Sequence, residues 1–337
     1  MKYTIVGAGA IGGYLGAKLA LAGEDVTFIA RNRNLAAINA AGMTLHLPDG
    51  TTEQAKNVRA VQNAAEAGPQ DVVLLTTKAH QLLDLVPGMQ ALFGPETMVV
   101  SMVNGSPWWY FQKLGGAYEA QQLRSVDPDG ALSAGIDVKR IIGGIVYPAA
   151  ELLEPGVIKV IEGNRFTLGE LDGSRSERIE ALSQVMMRAG FKAPVSKDIR
   201  SEIWLKLWGN LSFNPISALT HATLEDICTF GPSRELAANM MTQAQSVAEK
   251  LGVQFKISLD KRIAGAQAVG AHKTSMLQDV EAGRALELNA LVGSVVELGR
   301  ITGTPTPTID AIYAATQLLA HTMAQHKGRL QLLPVSV

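Results

Sequence analysis

Short apolar runs alternate with helix-length stretches over the first two-thirds of the chain. Four of the runs have the length and composition of strands: "KYTIVGAG", "DVTFIAR", "DVVLLTTK" and "TMVVSMVNG". The stretches between them, for example "AIGGYLGAKLALAGE", have the apolar spacing of helices. Strands that alternate with helices are typical of a parallel sheet with crossover helices. The pattern therefore predicts an α/β domain.

The alternation breaks once, between residues 106 and 137. This segment opens with Trp108, Trp109, Tyr110 and Phe111 and is rich in turn residues afterwards. The aromatic cluster either lines a pocket or packs at a domain interface. Strand-like runs return in "RIIGGIVYPAAELLEPGVIKVIEGNRFTLGEL". We expect these runs to add antiparallel strands at one edge of the sheet.

From residue 198 onward the apolar spacing is helical, with glycine stops, as in "GPSRELAANMMTQAQSVAEKLG" and "ALELNALVGSVVELGRITG". A chain of 337 residues is also long for a single hydrophobic core. The sequence therefore predicts two domains, an α/β domain at 1–197 and an all-α domain at 198–330.

Composition and charge narrow the class of protein. The apolar fraction of 47% and the charged fraction of 18% are those of a folded globular protein. A formal net charge of −1 gives no electrostatic reason to expect nucleic acid or an anionic membrane as a partner. The single cysteine excludes an internal disulfide, and the six histidines show no ligand spacing, so no metal is predicted. Glycines and Lys18 interrupt the apolar N-terminus, and no run is long enough to span a membrane, so we expect a cytoplasmic protein.

A glycine motif follows the first predicted strand directly, in "TIVGAGAIGG". Gly7 permits a tight turn, Gly9 lets the backbone approach a pyrophosphate, and Gly12 allows close packing of helix on strand. The amino terminus of the next helix would face the phosphate charge. In this strand–turn–helix context the motif predicts a doubly wound, Rossmann-type dinucleotide-binding domain. The predicted contacts form one loop: Gly7, Ala8, Gly9, Ala10, Ile11 and Gly12.

The end of the second predicted strand distinguishes the two nicotinamide cofactors. An NAD enzyme would place Asp or Glu there to bind the ribose 2′-hydroxyl. This chain has "FIARNR", with Arg31 at the strand end and Arg33 nearby. A guanidinium pairs with a 2′-phosphate, so NADPH is favoured over NADH. For Arg33, an ordinary exposed loop arginine is an equally good interpretation.

Lys78 and Asn104 stand at the predicted carboxyl ends of strands, where open α/β sheets bind ligands. Simple strand termination would also explain Lys78. Asn-Gly is a favoured turn dipeptide, which would also explain Asn104. Both alternatives stay open.

Lys206, Asn210 and Asn214 recur at intervals of four in "EIWLKLWGNLSFNP". On an α-helix this spacing places their side chains on one stripe, here among apolar neighbours. Asparagine is a poor helix former, so two of them on a merely solvated face would be unfavourable. Whether the stripe is a solvated face or faces a ligand stays open at this point. A structural role, in which the two amides bind a neighbouring helix, stays open.

Ser275 and Glu287 are the candidates in "KTSMLQDVEAGRALELN". Ser275 fits a helix cap, because Gln278 follows three residues later. Glu287 stands among leucines, where an unpaired carboxylate is unfavourable. On one straight helix the two side chains would point about 120° apart. They can face one ligand only if Gly283 bends the chain or the ligand spans both.

These motifs resemble the ketopantoate reductase (2-dehydropantoate 2-reductase) family over nearly the whole chain. The most specific are "GAGAIGG", "TTK", "VNG", "WLKLWGNLSFNPISALT" and "SMLQDVEAGRALELN", in the family's order. The resemblance implies an NADP-binding Rossmann domain and a helical substrate and dimerisation domain similar to the C-terminal domain of 6-phosphogluconate dehydrogenase. It also implies NADPH-dependent reduction of ketopantoate to pantoate, in the biosynthesis of pantothenate and coenzyme A.

The resemblance carries residue roles to the matching positions. Lys206 resembles the catalytic lysine, which donates a proton, and Glu287 a catalytic glutamate that also contacts the cofactor. The substrate-binding residues that it implies are Asn104, Asn210, Asn214 and Ser275. The cofactor-binding residues that it implies are the loop from Gly7 to Gly12, Arg31, Lys78, Asn104, Ala150 and Glu287.

Two departures from the family pattern concern the substrate. Segment 106–137 is longer than in compact family members, and a substrate-facing asparagine expected near residue 224 is absent from "HATLED". The alternatives are a paralogous NADPH-dependent reductase of another 2-oxo acid, or a non-catalytic NADPH-binding sensor. A sensor needs only the phosphate-binding residues, so the joint presence of Lys206, Ser275 and Glu287 argues against it. We expect a small 2-oxo acid as partner, no nucleic acid and no membrane. Apolar helices in the second domain are compatible with a homodimer.

Overall fold

The structure is a computed structural model that describes residues 1–333, and it divides into two compact units. The first unit consists of Met1–Val103, Pro107–Gln122 and Asp129–Glu202. The second consists of Asn104–Ser106, Leu123–Pro128 and the chain from Ile203 onward. Two short stretches that lie early in the sequence therefore belong to the helical unit. The functional division into an NADP-binding domain at 1–197 and a substrate domain at 198–330 stays a prediction.

The first unit contains eleven strands and six complete helices. The strands are β1 (Lys2–Val6), β2 (Asp25–Ile29), β3 (Met43–His46), β4 (Thr52–Ala55), β5 (Val58–Val61), β6 (Gln70–Leu75), β7 (Phe93–Ser101), β8 (Ile141–Val146), β9 (Ala149–Glu154), β10 (Val157–Glu162) and β11 (Phe166–Gly169). The helices are α1 (Ala10–Leu21), α2 (Asn32–Ala41), α3 (Ala64–Ala67), α4 (Leu82–Met89), α5 (Ala131–Gly135) and α6 (Glu177–Arg188).

Seven strands form the main sheet, in the order β11-β8-β7-β6-β1-β2-β5. All neighbours are parallel except β11, which runs antiparallel to β8 at the edge. The inner strands are buried over most of their length, as expected for parallel strands covered on both faces. This confirms the predicted doubly wound α/β fold.

The prediction of antiparallel edge strands is only partly right. The run "IIGGIV" forms β8, which is parallel to β7 and inside the sheet, and in the main sheet only β11 is an antiparallel edge strand. Strands β9 and β10 leave the main sheet and join β3 and β4 in a second sheet, in the order β4-β3-β10-β9. An apolar run of six residues has the same pattern in either setting, so the sequence could not separate the two.

Helix α1 packs against both sheets through glycine positions. A Cβ on Gly16 would lie 2.3 Å from Phe28 Cζ in β2. A Cβ on Gly13 would lie 2.7 Å from Ile158 Cγ1 in β10. The glycine-rich start of α1 thus allows one helix to approach two sheets closely.

The aromatic residues of segment 106–137 pack inside the first unit. Trp109, Tyr110 and Phe111 are fully buried, and Trp108 lines a cavity of about 600 Å³. The buried guanidinium of Arg200 donates to the carbonyl oxygens of Tyr110 (2.8 Å), Leu171 (2.6 Å) and Gln112 (2.6 Å). Of the two interpretations of this cluster, the lining of a pocket therefore applies to Trp108.

The second unit is helical, and no strand occurs between Ile199 and the last described residue. Its helices are α7 (Ile199–Thr220, which begins in the first unit), α8 (Leu224–Thr229), α9 (Gly231–Lys250), α10 (Leu259–Gln267), α11 (Ser275–Ala282), α12 (Ser294–Thr302) and α13 (Pro307–His326). A π-helical turn, Asn289–Gly293, precedes α12. None of the helices within residues 1–333 is long and apolar enough to cross a membrane.

Candidate active site

The loop between β1 and α1 is shaped by glycines. Gly7 has a φ of +107°, and a Cβ added there would lie 2.5 Å from Thr77 Cγ2. A Cβ on Gly12 would lie 2.0 Å from the carbonyl oxygen of Gly7. At Gly9 an added Cβ would meet no atom within 4 Å, so the backbone there borders open space. Packing therefore requires glycine at positions 7 and 12, whereas Gly9 leaves room for a ligand.

The first turn of α1 suits a dinucleotide phosphate. The helix begins at Ala10, its N-cap residue Gly9 offers no side chain as a cap, and its first turn contains no acidic residue. The N–H groups of this turn and the positive end of the helix dipole are therefore left for an anion. These features fit the pyrophosphate of a nicotinamide dinucleotide.

Other predicted cofactor residues follow neighbouring strands of the main sheet. Arg31 is exposed and is the N-cap residue of α2, just after β2. Lys78 is half-buried and follows β6. Because β6, β1 and β2 are adjacent and parallel, Lys78, the glycine loop and Arg31 all follow the carboxyl ends of their strands. Ala150 lies instead in β9 of the second sheet, opposite Val160. Contacts of these residues with a cofactor stay predictions.

Lys206, Asn104 and Glu287 lie together in the second unit. Lys206 Nζ donates to Asn104 Oδ1 at 2.6 Å, and Asn104 Nδ2 donates to Glu287 Oε2 at 3.5 Å. Asn104 thus bridges an amine and a carboxylate. Asn104 is 102 residues from Lys206 and 183 residues from Glu287 in the chain, so the fold rather than local sequence assembles this cluster.

Burial lowers the pKa of the Lys206 amine from its ordinary value of 10.5 to about 8. The carboxylate of Glu287 acts in the opposite direction, because a nearby negative charge favours the ammonium form. An amine with a pKa near 8 is mostly protonated at neutral pH and still gives up its proton readily. This is the property required of a general acid.

Asn210 and Asn214 continue the stripe of Lys206 along α7, as the spacing predicts. Asn210 is half-buried, and Asn214 is 5% exposed. Within residues 1–333, neither side-chain amide has a hydrogen-bond partner. The structural interpretation, in which the two amides bind a neighbouring helix, is therefore wrong for this structure. Contacts of Asn210 and Asn214 with a substrate stay predictions.

Ser275 is the first residue of α11, and it is exposed. The helix cap is Thr274, whose hydroxyl accepts from the backbone N–H of Leu277 at 3.3 Å. The capping prediction for Ser275 is wrong by one residue, because the preceding threonine supplies the same chemistry. In the part of the chain that the structure describes, the Ser275 hydroxyl has no hydrogen-bond partner.

Ser275 and Glu287 do not share one straight helix. Gly283 has a φ of +65° and ends α11, and Glu287 lies in the irregular stretch before the next helical turn. Gly283 therefore marks a bend, which is one of the two conditions under which Ser275 and Glu287 could face one ligand.

Two sequence profiles cover most of the chain. Residues 3–173 match the profile described as Ketopantoate reductase PanE/ApbA, and residues 198–320 match its C-terminal counterpart. The chain belongs to the ketopantoate reductase family. The family predicted from the motifs is thus confirmed.

Individual members of the ketopantoate reductase family are similar over almost their full length. A 2-dehydropantoate 2-reductase of Mesorhizobium japonicum is 54% identical over 321 residues, which is 95% of this chain and 98% of the relative. A crystal structure of a candidate ketopantoate reductase from Ralstonia solanacearum MolK2 has a TM-score of 0.91 at 40% identity, and covers 95% of this chain and 98% of its own. The crystal structure of a Geobacter metallireducens 2-dehydropantoate 2-reductase has a TM-score of 0.82 at 27% identity. The match covers 96% of this chain and 99% of the Geobacter chain.

In this ketopantoate reductase family member, two side chains that hold the glycine loop were missed by sequence reasoning. Thr76 Oγ1 donates to the carbonyl oxygen of Gly7 at 2.8 Å. Asn34 Nδ2 donates to the carbonyl oxygen of Ala8 at 2.6 Å, and its Oδ1 accepts from the backbone N–H of Gly156 at 2.8 Å. The threonine stands in the "TTK" motif and could have been considered as a loop partner. No pattern in "RNRNLAA" distinguishes Asn34.

Proposed function

We propose that this chain is an NADPH-dependent 2-dehydropantoate 2-reductase, which reduces ketopantoate to pantoate in the biosynthesis of pantothenate and coenzyme A. One observation carries the proposal: a half-buried lysine with a pKa near 8 is hydrogen-bonded to Asn104, which in turn contacts Glu287. It occurs in a chain that is 54% identical to a 2-dehydropantoate 2-reductase over 95% of its length.

Lys206 is the proposed proton donor. NADPH, held by the loop from Gly7 to Gly12 and by Arg31, would supply a hydride to the carbonyl carbon of the 2-oxo acid. As this C–H bond forms, the carbonyl electron pair moves to oxygen, and the Lys206 ammonium stabilises the growing negative charge and gives its proton to that oxygen. The product is the 2-hydroxy acid, and Lys206 is left as a neutral amine that takes a proton back from water. Its pKa near 8 suits both halves of this cycle.

The neighbours of Lys206 orient it and bind the substrate. Asn104 Oδ1 accepts a hydrogen bond from the Lys206 ammonium at 2.6 Å and so fixes the direction of the amine. Asn210 and Asn214 would bind polar groups of the substrate without adding charge. Ser275 would donate to the substrate carboxylate. Glu287 would bind a distal hydroxyl of the substrate or the nicotinamide ribose.

The first unit would hold the cofactor. The loop from Gly7 to Gly12 would bind the pyrophosphate through backbone N–H groups. Arg31 would pair with the 2′-phosphate, which gives NADPH its advantage over NADH. Lys78 would add positive charge near the phosphates, and Ala150 would contribute a backbone contact.

A homodimer in the cytoplasm is part of the proposal. Phe230 and Leu318 are each 66% exposed on the helical unit, and a second copy would cover such large apolar side chains. The single free cysteine fits a reducing compartment. Light scattering on the purified protein tests the assembly, and a monomer at micromolar concentration would contradict it.

A reductase of another branched 2-oxo acid is the second candidate. Near residue 224, where the family pattern places a substrate-facing asparagine, this chain has half-buried Leu224 at the start of α8. An apolar side chain there would favour a substrate with a different distal group.

The decisive experiment is NADPH oxidation with ketopantoate beside a panel of other 2-oxo acids. We expect Lys206→Ala to lower kcat by about 10²–10⁴-fold, the usual contribution of a general acid. NADPH affinity, measured by fluorescence, should stay within about twofold, since the lysine is proposed to act on the substrate oxygen. Lys250→Ala is the matched control, because Lys250 is exposed at the end of α9.

Three outcomes would change the proposal. Unaffected turnover in Lys206→Ala would remove the role of this lysine as the proton donor. Turnover of another 2-oxo acid in preference to ketopantoate would select the second candidate. Tight NADPH binding without turnover of any 2-oxo acid would support the sensor.

A further inference from the structure

The π-helical turn Asn289–Gly293 frees one carbonyl group close to Glu287 in the chain. In an α-helix the backbone N–H of Ser294 would bond to the carbonyl oxygen of Ala290. Here it bonds to Asn289 instead, five residues back. The Ala290 carbonyl therefore loses its usual helical partner. Single π turns of this kind occur mostly within helices and often at functional sites.

The turn Asn104–Ser106 supplies the replacement partner. The backbone N–H of Ser106 donates to the Ala290 carbonyl oxygen at 2.9 Å. The Ser294 hydroxyl donates to the same oxygen at 2.7 Å and lies 3.0 Å from the Ser106 hydroxyl oxygen. Ser106 is 1% exposed and Ser294 is fully buried. The two serines and one carbonyl thus form a buried hydrogen-bond network.

Gly105 makes this approach possible. It has a φ of +86°, and a Cβ added there would lie 2.2 Å from the Ala290 carbonyl oxygen. Any other residue would push the Asn104–Ser106 turn away from the π-helical turn. The Asn-Gly pair is therefore a turn, as its composition predicts, and also the point at which Asn104 is attached to the helical unit.

The network fixes Asn104 and Glu287 to the same element. Asn104 directly precedes Gly105 and Ser106, which contact the Ala290 carbonyl. The carbonyl oxygen of Glu287 accepts a hydrogen bond from the backbone N–H of Leu291, inside the π-helical turn, at 3.1 Å. A shift of the Asn104–Ser106 turn would move Asn104 relative to both Glu287 and Lys206. Because Asn104 orients Lys206 at 2.6 Å, such a shift would misalign the ammonium.

We propose that Ser294, together with Ser106, is a positioning residue of this active site. It holds the Ala290 carbonyl against the Asn104–Ser106 turn, and so keeps Asn104 between Lys206 and Glu287. Neither serine is hydrogen-bonded to Lys206 or Glu287, so the effect passes through Asn104. The catalytic consequence rests on the proposed reductase function, whereas the docking of the turn does not.

A double-mutant cycle separates this role from a merely structural one. We expect Ser294→Ala to lower kcat about tenfold with KM for the 2-oxo acid within about threefold, because misplaced catalytic groups slow the chemical step. In the Asn104→Ala background the same substitution should change kcat by less than about twofold, since the two residues act in series. Equal losses in both backgrounds, or an unchanged kcat in Ser294→Ala, would overturn the inference.

Ser183→Ala is the matched control. Ser183 is also a buried serine, and its hydroxyl donates to one buried carbonyl oxygen, that of Ala193, at 2.6 Å. It belongs to the first unit. We expect Ser183→Ala to lower the melting temperature by a similar amount and to leave kcat unchanged. If Ser294→Ala does not fold, Ser106→Ala removes the other hydroxyl of the network and repeats the cycle.

Amide hydrogen exchange tests the docking without any turnover. In the native protein the Ser106 amide is protected by the Ala290 carbonyl. We expect Ser294→Ala to accelerate exchange in the peptide that contains Ser106 by about tenfold, and Ser183→Ala to leave it unchanged. Unchanged exchange in Ser294→Ala would overturn the docking role. A native protein that turns over no 2-oxo acid would remove the proposed function and leave this measurement intact.

Discussion

The glycine loop and the Lys206 cluster are built on opposite principles. The loop from Gly7 to Gly12 is continuous in sequence and acts through its backbone. It requires that its three glycine positions carry no side chain. The cluster joins Asn104, Lys206 and Glu287 from three distant stretches and acts through side-chain charge and hydrogen bonds. One region is therefore sensitive to added volume, and the other to the identity of a polar group.

This difference predicts which substitutions change stability and which change only chemistry. At Gly12 in the loop a single methyl group would collide with the backbone, so stability and ligand affinity are affected together. In the cluster an isosteric change leaves the packing intact and alters the protonation of Lys206. Four pairs of variants test the contrast.

The largest effect is expected from Gly12→Ala. Its methyl group would lie 2.0 Å from the Gly7 carbonyl oxygen, so the loop must shift. We expect the free energy of unfolding to fall by roughly 2–3 kcal/mol. NADPH affinity should fall by about 100-fold, because the first-turn N–H groups lose their alignment. Denaturant unfolding and fluorescence titration measure the two effects.

Gly9→Ala is the counterpart within the same loop. Its methyl group would meet no atom within 4 Å, so the free energy of unfolding should stay within about 0.5 kcal/mol of the native value. NADPH affinity should still fall, since the methyl group would fill the space left for the pyrophosphate. Native affinity in Gly9→Ala would contradict the proposed phosphate site.

Arg31→Asp should change cofactor choice by about tenfold or more. The substitution replaces a charge-assisted partner of the 2′-phosphate by a repulsive carboxylate, so Kd for NADPH rises far more than Kd for NADH. Arg33→Asp is the control, because both arginines are exposed and close in sequence. Equal losses of NADPH and NADH in Arg31→Asp would refute the 2′-phosphate contact.

The pKa of Lys206 predicts opposite pH trends for activity and stability. Lys206 must be protonated to act, so kcat/KM should fall as the pH rises through about 8. Between about 8 and the ordinary pKa of 10.5 the unfolded chain holds the proton that the folded chain has lost. The contribution of this group to stability therefore rises with pH over that interval. Melting temperatures measured between pH 8 and pH 10.5 should therefore show no loss of stability that can be assigned to deprotonation of Lys206.

Glu287→Gln should move the alkaline limb of kcat/KM to lower pH. The carboxylate favours the charged amine, so its removal lowers the pKa of Lys206 further. Glu281→Gln is the control, since Glu281 pairs with Lys273 in the same unit. A limb that stays in place or moves to higher pH in Glu287→Gln would disprove the electrostatic coupling.

Adjacent hydroxyls at the start of α11 give the smallest effects. Thr274→Ala removes the cap and should lower the free energy of unfolding by about 1 kcal/mol. Ser275→Ala should leave stability unchanged and raise KM for the 2-oxo acid several-fold, because the hydroxyl has only the substrate as its proposed partner. A stability loss in Ser275→Ala with native KM would reverse these assignments.

The glycine loop and the elements next to it were largely predictable from the sequence. The loop, the strand before it and Arg31 are contiguous, so local spacing suffices to place them. The second sheet was not predictable, because β3 and β4 are four-residue strands that are partly exposed. Strand β3 pairs with β10, which is more than a hundred residues away, and β4 joins this sheet only through β3.

The side-chain cluster was predictable as a set of residues but not as a geometry. The spacing along α7 correctly placed Lys206, Asn210 and Asn214 on one helix. No local pattern shows that Asn104 bridges Lys206 and Glu287, since these contacts depend on tertiary structure. Ser106 and Ser294 were not identified for the same reason: a buried serine and an exposed one look alike in a sequence.

The assignment of Asn104–Ser106 to the helical unit limits how members of this family can be recombined. A chimera joined at residue 197 would combine the Asn104 turn of one parent with the π-helical turn of the other. Gly105 tolerates almost no change in the position of the Ala290 carbonyl. Functional exchange of the two halves would therefore require residues 104–106 to travel with the C-terminal half, although they are encoded in the N-terminal one.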